Sequence, residues 1–513
     1  MRETELKLIA LNGVTPALDA FEALRPGAAS MRKQRLRSWI FDTPDGALRR
    51  GGFVLRLRQA GDVLLQTVKT PGDGAFERGE WEAPIAAAPP AHGAPDARSL
   101  DFAMIAQTPL GPLVDAARGE LVEAFSVDVE RTTLLLETGG AVVEAAADQG
   151  EIFAPRAGAR ETVAEVELEL KGGDKRVLFD LARALAAAAP LSLSLIGKAE
   201  LGFRLADGRA GRAQKASGAR LGDDASVAGA FVSICHGCLR DFMLNAAVLA
   251  KGGAAATPDA AHQGRIALRH LRAAFALFKP VVRDDAFYDM AAEVKRLARL
   301  FGAARDRDVM MQAAREQVGE ACAFCGWLAG ESARLHDEIA RELESPRWRL
   351  FLIDFCLWLD DGAWRAAAER RPKRVAKLAR KRLRRRLDAL LRDGRALETL
   401  GPDDRHELRI DAKTLRYMFE FFAEAPAVAP LEAMRKAVKR LEAIQAALGE
   451  MHDEEAKADA GAADVARWRA EAGDVAPQDA AAAERFLEPA RDDGARLAAA
   501  ARALRELAAE NPF

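Results

Sequence analysis

The sequence predicts an α+β domain built around an antiparallel sheet, followed by an all-α domain, and three observations carry that reading. Up to about residue 206, short runs alternate charged and apolar side chains with the period of two that a half-buried strand imposes. Gly208 to Asp224 is rich in Gly, Ala and charge without any period, as linkers are. From about residue 226 onward the apolar spacing becomes helical, with few β-branched runs. A chain of 513 residues is too long for one ordinary core, so a division into 1–206, a linker at 207–224, and 225–513 with a C-terminal helical extension is expected.

The first element is a strand. In Glu3-Thr-Glu5-Leu-Lys7 the charged side chains project from one side. A helix is expected near Thr15–Leu24. Further strands are expected at Phe53–Arg58, Val63–Lys69, Thr132–Leu136 and Val163–Leu170, with turns at Pro44-Asp-Gly46 and Pro71–Gly74. Ala86–Pro95 reads as a surface loop, and Lys175–Ala188 as a helix. In the second half, Pro258, Pro280, Pro346, Pro402 and Pro426 are expected to mark helix breaks. That half also repeats itself. His262-Gln-Gly-Arg265-Ile-Ala-Leu-Arg269-His-Leu-Arg272 returns 144 residues later as His406-Glu-Leu-Arg409-Ile-Asp-Ala-Lys413-Thr-Leu-Arg416. Phe301-Gly302 returns 147 residues later as Leu448-Gly449. Two near-equal offsets predict two pseudo-symmetric helical bundles.

Composition narrows the function classes. An apolar share of 50% with 30% charged residues is that of a globular protein, and the net charge of −2 hides strong local segregation. Only Met1 and Arg2 precede the acidic strand and no apolar run reaches 18 residues, so neither a signal peptide nor a membrane helix is expected. Five cysteines suit a reducing compartment, and the expected location is the cytoplasm. The two C-x-x-C spacings, Cys235–Cys238 and Cys322–Cys325, lie in helical patterns and read as core packing.

Charge on strand faces is the chemical signal. Glu3, Glu5 and Lys7 share one face, as do Glu165, Glu167 and Glu169, and as do Arg56 and Arg58. Lys69, Arg78, Arg131 and Lys198 lie on or beside other strands. Such alternation on one strand ordinarily marks a solvated face. Repeated on strand after strand, it fits a closed sheet that turns these faces inward. A lumen of that kind would hold a hard cation on carboxylate oxygens and a polyphosphate anion on Arg and Lys.

These motifs resemble the CYTH, or triphosphate tunnel metalloenzyme, superfamily. Glu3-x-Glu5-x-Lys7, Phe41-Asp-Thr-Pro44, Leu55-Arg56-Leu57-Arg58, Thr67-Val-Lys69, Arg78-Gly-Glu80 and Glu165-x-Glu167-x-Glu169 occur in the family's order, together with Arg131, Asp148 and Lys198. The resemblance implies an eight-stranded antiparallel tunnel that hydrolyses triphosphates with Mg²⁺ or Mn²⁺. It implies Glu3, Glu5, Glu167 and Glu169 as metal ligands, with Glu165 and Asp148 as further contributors. Glu3, Glu5, Lys7, Glu167 and Glu169 form its catalytic set. Lys7, Arg56, Arg58, Lys69, Arg78, Arg131 and Lys198 would cradle the phosphates. The family usually has Lys-x-x-Arg-Gly at the last motif, where this chain has Lys198-Ala-Glu-Leu201-Gly202, so one cation is missing.

In the helical half, His262, Arg265, Arg269 and Arg272 form one stripe, and Ala267, Leu271, Ala274 and Phe278 the opposite apolar one. Arg370–Arg386 carries eleven Lys or Arg in seventeen residues and no acid, a density that repels itself without an anion nearby. The duplicated motif resembles the CHAD domain. That resemblance implies inorganic polyphosphate as ligand, held by His262, Arg265, Arg269, Arg272, His406, Arg409, Lys413 and Arg416, and polyphosphate granules as a location. The histidines are expected to charge just below pH 6.5 and to strengthen binding there. No aromatic residues interleave the basic helices, which disfavours nucleic acid. Two functions stay open: a metal-dependent hydrolase of inorganic triphosphate, or a non-catalytic polyphosphate-binding protein with a vestigial tunnel.

Overall fold

The computed structural model describes residues 2–11, 24, 28–71, 76–87, 89, 90, 93–117, 119–216, 221, 225–251, 257–369, 374–487 and 493–513. Residues 15–23 of the expected first helix, 72–74 of the second turn and part of the linker lie outside them. The chain forms two compact units, one of residues 1–212 with 342–360, the other of residues 213–341 with 361–513.

The first unit is an antiparallel barrel. Its strands are β1 (Arg2–Ala10), β2 (Ala28–Asp42), β3 (Val54–Ala60), β4 (Val63–Lys69), β5 (Glu77–Pro84), β6 (Val122–Thr138), β7 (Ala141–Ala154) and β8 (Ala159–Gly172). They run in the order β5-β4-β3-β2-β6-β7-β8-β1, and β1 closes the ring on β5 with Glu3 opposite Arg78. A short β9 (Leu191–Ser194) extends beside the far half of β1. Closure satisfies the edge strands and gives every strand an inside and an outside. On the outside, Trp39, Phe41, Leu55, Leu57, Leu64 and Val68 pack under the short helices Phe102–Ala106 and Gly111–Ala117. Asp101 caps the first of these by accepting from the Ala103 and Met104 amides.

The inside is divided. Leu36, Ile40, Phe125, Val127, Ile152 and Val163 meet Phe203 and Leu205 of the helix Lys198–Ala206, forming an apolar plug in the barrel. Phe203 stacks edge-on against Phe125 with centroids 5.1 Å apart. Gly202 is what lets this helix approach: a Cβ there would stand 2.2 Å from the Phe125 ring, which is fully buried and cannot swing away. Gly202→Ala should therefore lower stability by about 1–3 kcal/mol, the usual cost of overpacking. A lowered thermal midpoint checks this; an unchanged one would mean that the plug is loosely seated. Leu201, at the position where the resembling family has a cation, packs with this apolar cluster.

The helix Pro346–Asp361, far along the chain, belongs mostly to this first unit. Its Lys175–Asp360 contact is 2.5 Å, Arg183 pairs with Asp354, and Arg349 donates to the Ala189 carbonyl.

The second unit is helical. Its first long helix, Val227–Lys251, buries Phe231, Ile234, Cys235, Cys238 and Phe242 completely. By length and composition it could cross a membrane, but 67% of that window is buried inside the protein, as for a bundle core helix. The duplicated motifs fall on equivalent pairs: Thr257–Val282 followed by Asp285–Val318, and Pro402–Glu420 followed by Leu431–Ala472. Pro346 and Pro402 open helices, where a missing N–H costs nothing. Pro280 does not break its helix as expected. It lies two residues from the end, and the Ala276 carbonyl that its missing N–H leaves unpaired accepts from Arg382 Nη2 at 3.1 Å. The cysteines are free and buried, and burial pushes the Cys325 thiol up to about 11 beside Cys322, which suits packing rather than metal ligation.

Candidate active site and candidate anion site

Strand register decides what meets in the barrel. Glu5 stands opposite Glu169, Lys7 opposite Glu167, Asp148 opposite Glu165, and Arg131 opposite Asp148. Across the other wall, Ser38 faces Arg58, Arg56 faces Thr67, and Lys69 faces Glu80. The result is a cavity of about 670 Å³ lined by both signs of charge.

Three carboxylates on neighbouring strands converge. Asp148, Glu165 and Glu167 each bring one oxygen to within 4.8 Å of the others. All three are hard oxygen donors, and their spacing fits a divalent cation such as Mg²⁺ or Mn²⁺. Cations surround the group: Lys198 reaches Asp148 at 2.7 Å and Glu167 at 3.0 Å and also pairs with Glu165, while Arg131 grips Asp148 with two bonds of 2.7 and 2.6 Å. Lys7 bridges Glu5 at 2.8 Å and Glu167 at 2.6 Å. Burial pushes the Glu167 carboxyl up, but Lys198, Lys7 and Arg131 outweigh it and hold it well below the usual carboxylate range. Burial wins at Glu165, which is raised despite Lys198.

Glu3 and Glu5 lie apart from that group. Lys69 reaches Glu3 at 3.0 Å, Arg78 pairs with both Glu3 and Glu5, and Glu169 pairs with Lys171 at 2.8 Å. Arg56 contacts Thr67 at 2.9 Å and Glu82 at 3.2 Å. Arg58 differs from all of these. Its contact with a protein acceptor is Ser38 Oγ at 3.4 Å, and burial with Arg56 and Arg131 nearby pushes its pKa down. A buried guanidinium with so little compensation is a seat for an anion. The residues that sequence reasoning gave no role are Glu80, Glu82, Glu144 and Lys171, all of which line the cavity. The period of two running on from Arg78, Asp148 and Glu169 is the signal that could have found them.

In the helical unit, the two stripes contribute unequally. The charges of Arg265, Arg269, Arg409 and Arg416 act together on Lys413, whose pKa is pushed down to about 7 by burial and these neighbours. His262 joins this cluster, with Arg305. Gly302 and Gly449 occupy equivalent places, where the guanidinium of Arg265 or of Arg409 lies 4.0 or 3.6 Å from the point a Cβ would occupy. Arg265 pairs with Asp306 at 2.7 Å, and among the described residues its buried Nε has no protein partner, nor has His262 Nδ1. Arg416 is already neutralised by Glu420 and by Glu442 at 3.6 Å. Arg272 is exposed and lies near Arg299, and His406 is half-buried on its helix. The expected charging of His262 near pH 6.5 needs correction: burial, then Arg305, Arg265, Lys413 and Arg269, hold it down to about 4.

Residues 1–201 match the CYTH domain family and residues 234–462 match the CHAD domain family. The chain belongs to the proteins that join these two domains, a closed antiparallel barrel followed by a helical CHAD region. An inorganic triphosphatase of Haemophilus influenzae is 30% identical over 173 residues, which are 33% of this chain and 46% of that protein, so the match spans less than half of the relative. Among solved structures, the CHAD domain of the plant Ricinus communis is 23% identical with a TM-score of 0.48, covering 57% of this chain and 96% of its own. A putative adenylyl cyclase from Hippeastrum, described as having a dominant triphosphatase activity, is 19% identical with a TM-score of 0.29, covering 39% and 95%.

Proposed function

We propose that the barrel hydrolyses inorganic triphosphate with a divalent metal, and that the helical unit binds inorganic polyphosphate. The observation that carries the first reading is the pairing of a convergent carboxylate group with Arg58, a buried cation that makes no ion pair among the described residues. A Mg²⁺ or Mn²⁺ ion held by Asp148, Glu165 and Glu167, with Glu3, Glu5 and Glu169 as further carboxylates, would supply Lewis acidity and charge neutralisation.

The chain's own residues do the rest. Lys7, Lys198 and Arg131 are free to turn from carboxylates toward phosphoryl oxygens once another cation satisfies those carboxylates. Arg56, Arg58, Lys69 and Arg78 would hold the remainder of the triphosphate in line. Cleavage of a phosphoanhydride puts negative charge on the leaving and equatorial oxygens, and fixed cations stabilise that charge without reorganising. The apolar plug keeps water from entering by that end and limits the cavity to a compact substrate. For the helical unit, support comes from Arg265, Arg269, Arg409 and Lys413, which lie close enough that their charges, with burial, push the pKa of Arg269 and of Lys413 down. A cytoplasmic location, at polyphosphate granules among other places, goes with this reading.

The experiment is phosphate release from inorganic triphosphate, thiamine triphosphate and ATP, each with Mg²⁺, Mn²⁺ or chelator. Metal-dependent turnover fastest on inorganic triphosphate is expected. No turnover on any of them would leave a vestigial tunnel on a polyphosphate-binding protein.

A further inference from the structure

A second basic surface lies on the helix Val375–Asp393, which carries neither of the duplicated stripes. Its apolar positions, Val375, Ala379, Leu383, Leu387 and Leu390, are buried and fix the helix's rotation. The opposite face is then obliged to carry Lys377, Lys381, Arg384, Arg385 and Arg392 outward, all of them exposed. Together with Arg380 and the backbone around Ala427 they line a groove of about 770 Å³. Arg380 builds one wall of it. Its Nε donates to the Val428 carbonyl and its Nη2 to the Ala427 carbonyl, both at 2.9 Å, which ties the neighbouring loop to the helix.

The charge in this groove is unbalanced. One carboxylate, Asp388, stands among the lining cations. Lys377, Lys381, Arg384 and Arg385 make no ion pair among the described residues. Like charges one turn apart on a helix oppose its formation, so this arrangement costs stability until an anion arrives. Lys377 to Arg392 extends along about 22 Å of helix at 1.5 Å per residue, with a cation near almost every turn. The ligand that fits is long, thin and negative throughout. A nucleic-acid strand would want aromatic platforms for its bases, and none line the groove. A membrane surface would want an apolar rim to insert, and the lining apolar residues are two alanines.

We propose that this groove is a second binding site for inorganic polyphosphate, engaging segments of a long chain beyond the reach of the Arg269–Lys413 cluster. It rests on the reading that the helical unit binds polyphosphate, and the test separates the two. Full-length protein carrying Lys381→Glu, Arg384→Glu and Arg385→Glu is compared with wild type and with Arg269→Ala/Lys413→Ala, using long-chain polyphosphate and inorganic triphosphate as probes at several salt concentrations. The charge-reversal protein should bind long chains at least tenfold more weakly, and its log–log salt slope should shrink by about 2, at roughly 0.7 per lost contact with a single-stranded polyanion. Its thermal midpoint should stay or rise, because self-repulsion is relieved. Its triphosphate turnover should not change. Wild-type affinity and slope in this variant, with binding lost in Arg269→Ala/Lys413→Ala, would overturn the groove and keep the broader reading. Absence of long-chain binding in wild type would overturn both. Loss of single-stranded RNA or anionic-vesicle binding, with polyphosphate binding intact, would overturn the groove's assignment in favour of those ligands.

Discussion

Glu167→Gln will lower metal-dependent triphosphate turnover by about 10²-fold or more, because it removes a hard anionic oxygen while keeping the side chain's shape. Among the described residues, Glu167 is the one acid that touches Lys7, Lys198 and Arg131 together, so it links the carboxylate group to the proposed phosphate cradle. The substitution also leaves three buried cations with less compensation, and a fall in stability is expected beside the fall in rate. The two effects are separable by measuring kcat and KM against metal concentration, alongside a thermal midpoint. A higher metal requirement with a low kcat identifies a ligand. Full activity at ordinary metal concentration would mean that Glu167 only holds Lys7 and Lys198 in place. Glu5→Gln, which touches Lys7 and Arg78 but lies outside the convergent group, serves as the comparison.

Removing Arg269 and Lys413 together will reduce long-chain polyphosphate binding by at least about tenfold and flatten its salt dependence, since each lost phosphate contact lowers the slope. The pH dependence has a definite sign. Lys413 titrates at about 7 in the folded protein instead of near 10.5, so between these values the unfolded chain holds the extra proton. Stability therefore rises with pH across that window, and the penalty of the buried ammonium is fully present below 7. A polyanion reverses the penalty by favouring the charged amine. Binding at pH 7–8 should take up a proton, and affinity should fall as pH rises through that range. Calorimetry in buffers of different ionisation enthalpy measures the uptake. Zero uptake would show that Lys413 is charged before the anion arrives. In the free protein, replacing Lys413 should raise the thermal midpoint more at pH 6 than at pH 9.

Strand alternation was legible wherever charges reported it. Val63–Lys69 is read to the residue, and Phe53–Arg58 and Val163–Leu170 within a few, because Arg56, Arg58 and the glutamates label the inner face. β2 carries charge at Arg32, Lys33, Arg35 and Arg37, two of them adjacent, so its alternation is blurred and its 15 residues were not read as one strand. β6 is legible only at Thr132–Leu136, near its C-terminal end, although it runs for 17 residues. The plug helix was hidden for another reason. Lys198-Ala-Glu-Leu201-Gly202 looks like a site motif, and nothing local says that Phe203 and Leu205 enter a barrel. The convergence of Asp148 with Glu165 depends on the register between β7 and β8, a long-range property. In the helical unit, spacing alone makes Arg272 and Arg416 equal members of the stripes, whereas Glu420 on the same helix and Glu442 on the next neutralise Arg416, and Arg272 is exposed beside Arg299.

The placement of residues 342–360 in the first unit has a consequence for how the protein is made. A ribosome delivers the chain from its N-terminus, so the barrel strands are complete once residue 194 has emerged. The seat at Lys175, Arg183 and the Ala189 carbonyl must then wait for Asp360, Asp354 and Arg349. At about 5–20 residues per second, the intervening stretch of roughly 160 residues takes on the order of ten to thirty seconds. Throughout that interval the nascent barrel is tethered, folded in outline and uncovered on one flank. The synthesis of residues 342–360 thus sets the earliest time at which that flank of the first unit can be covered.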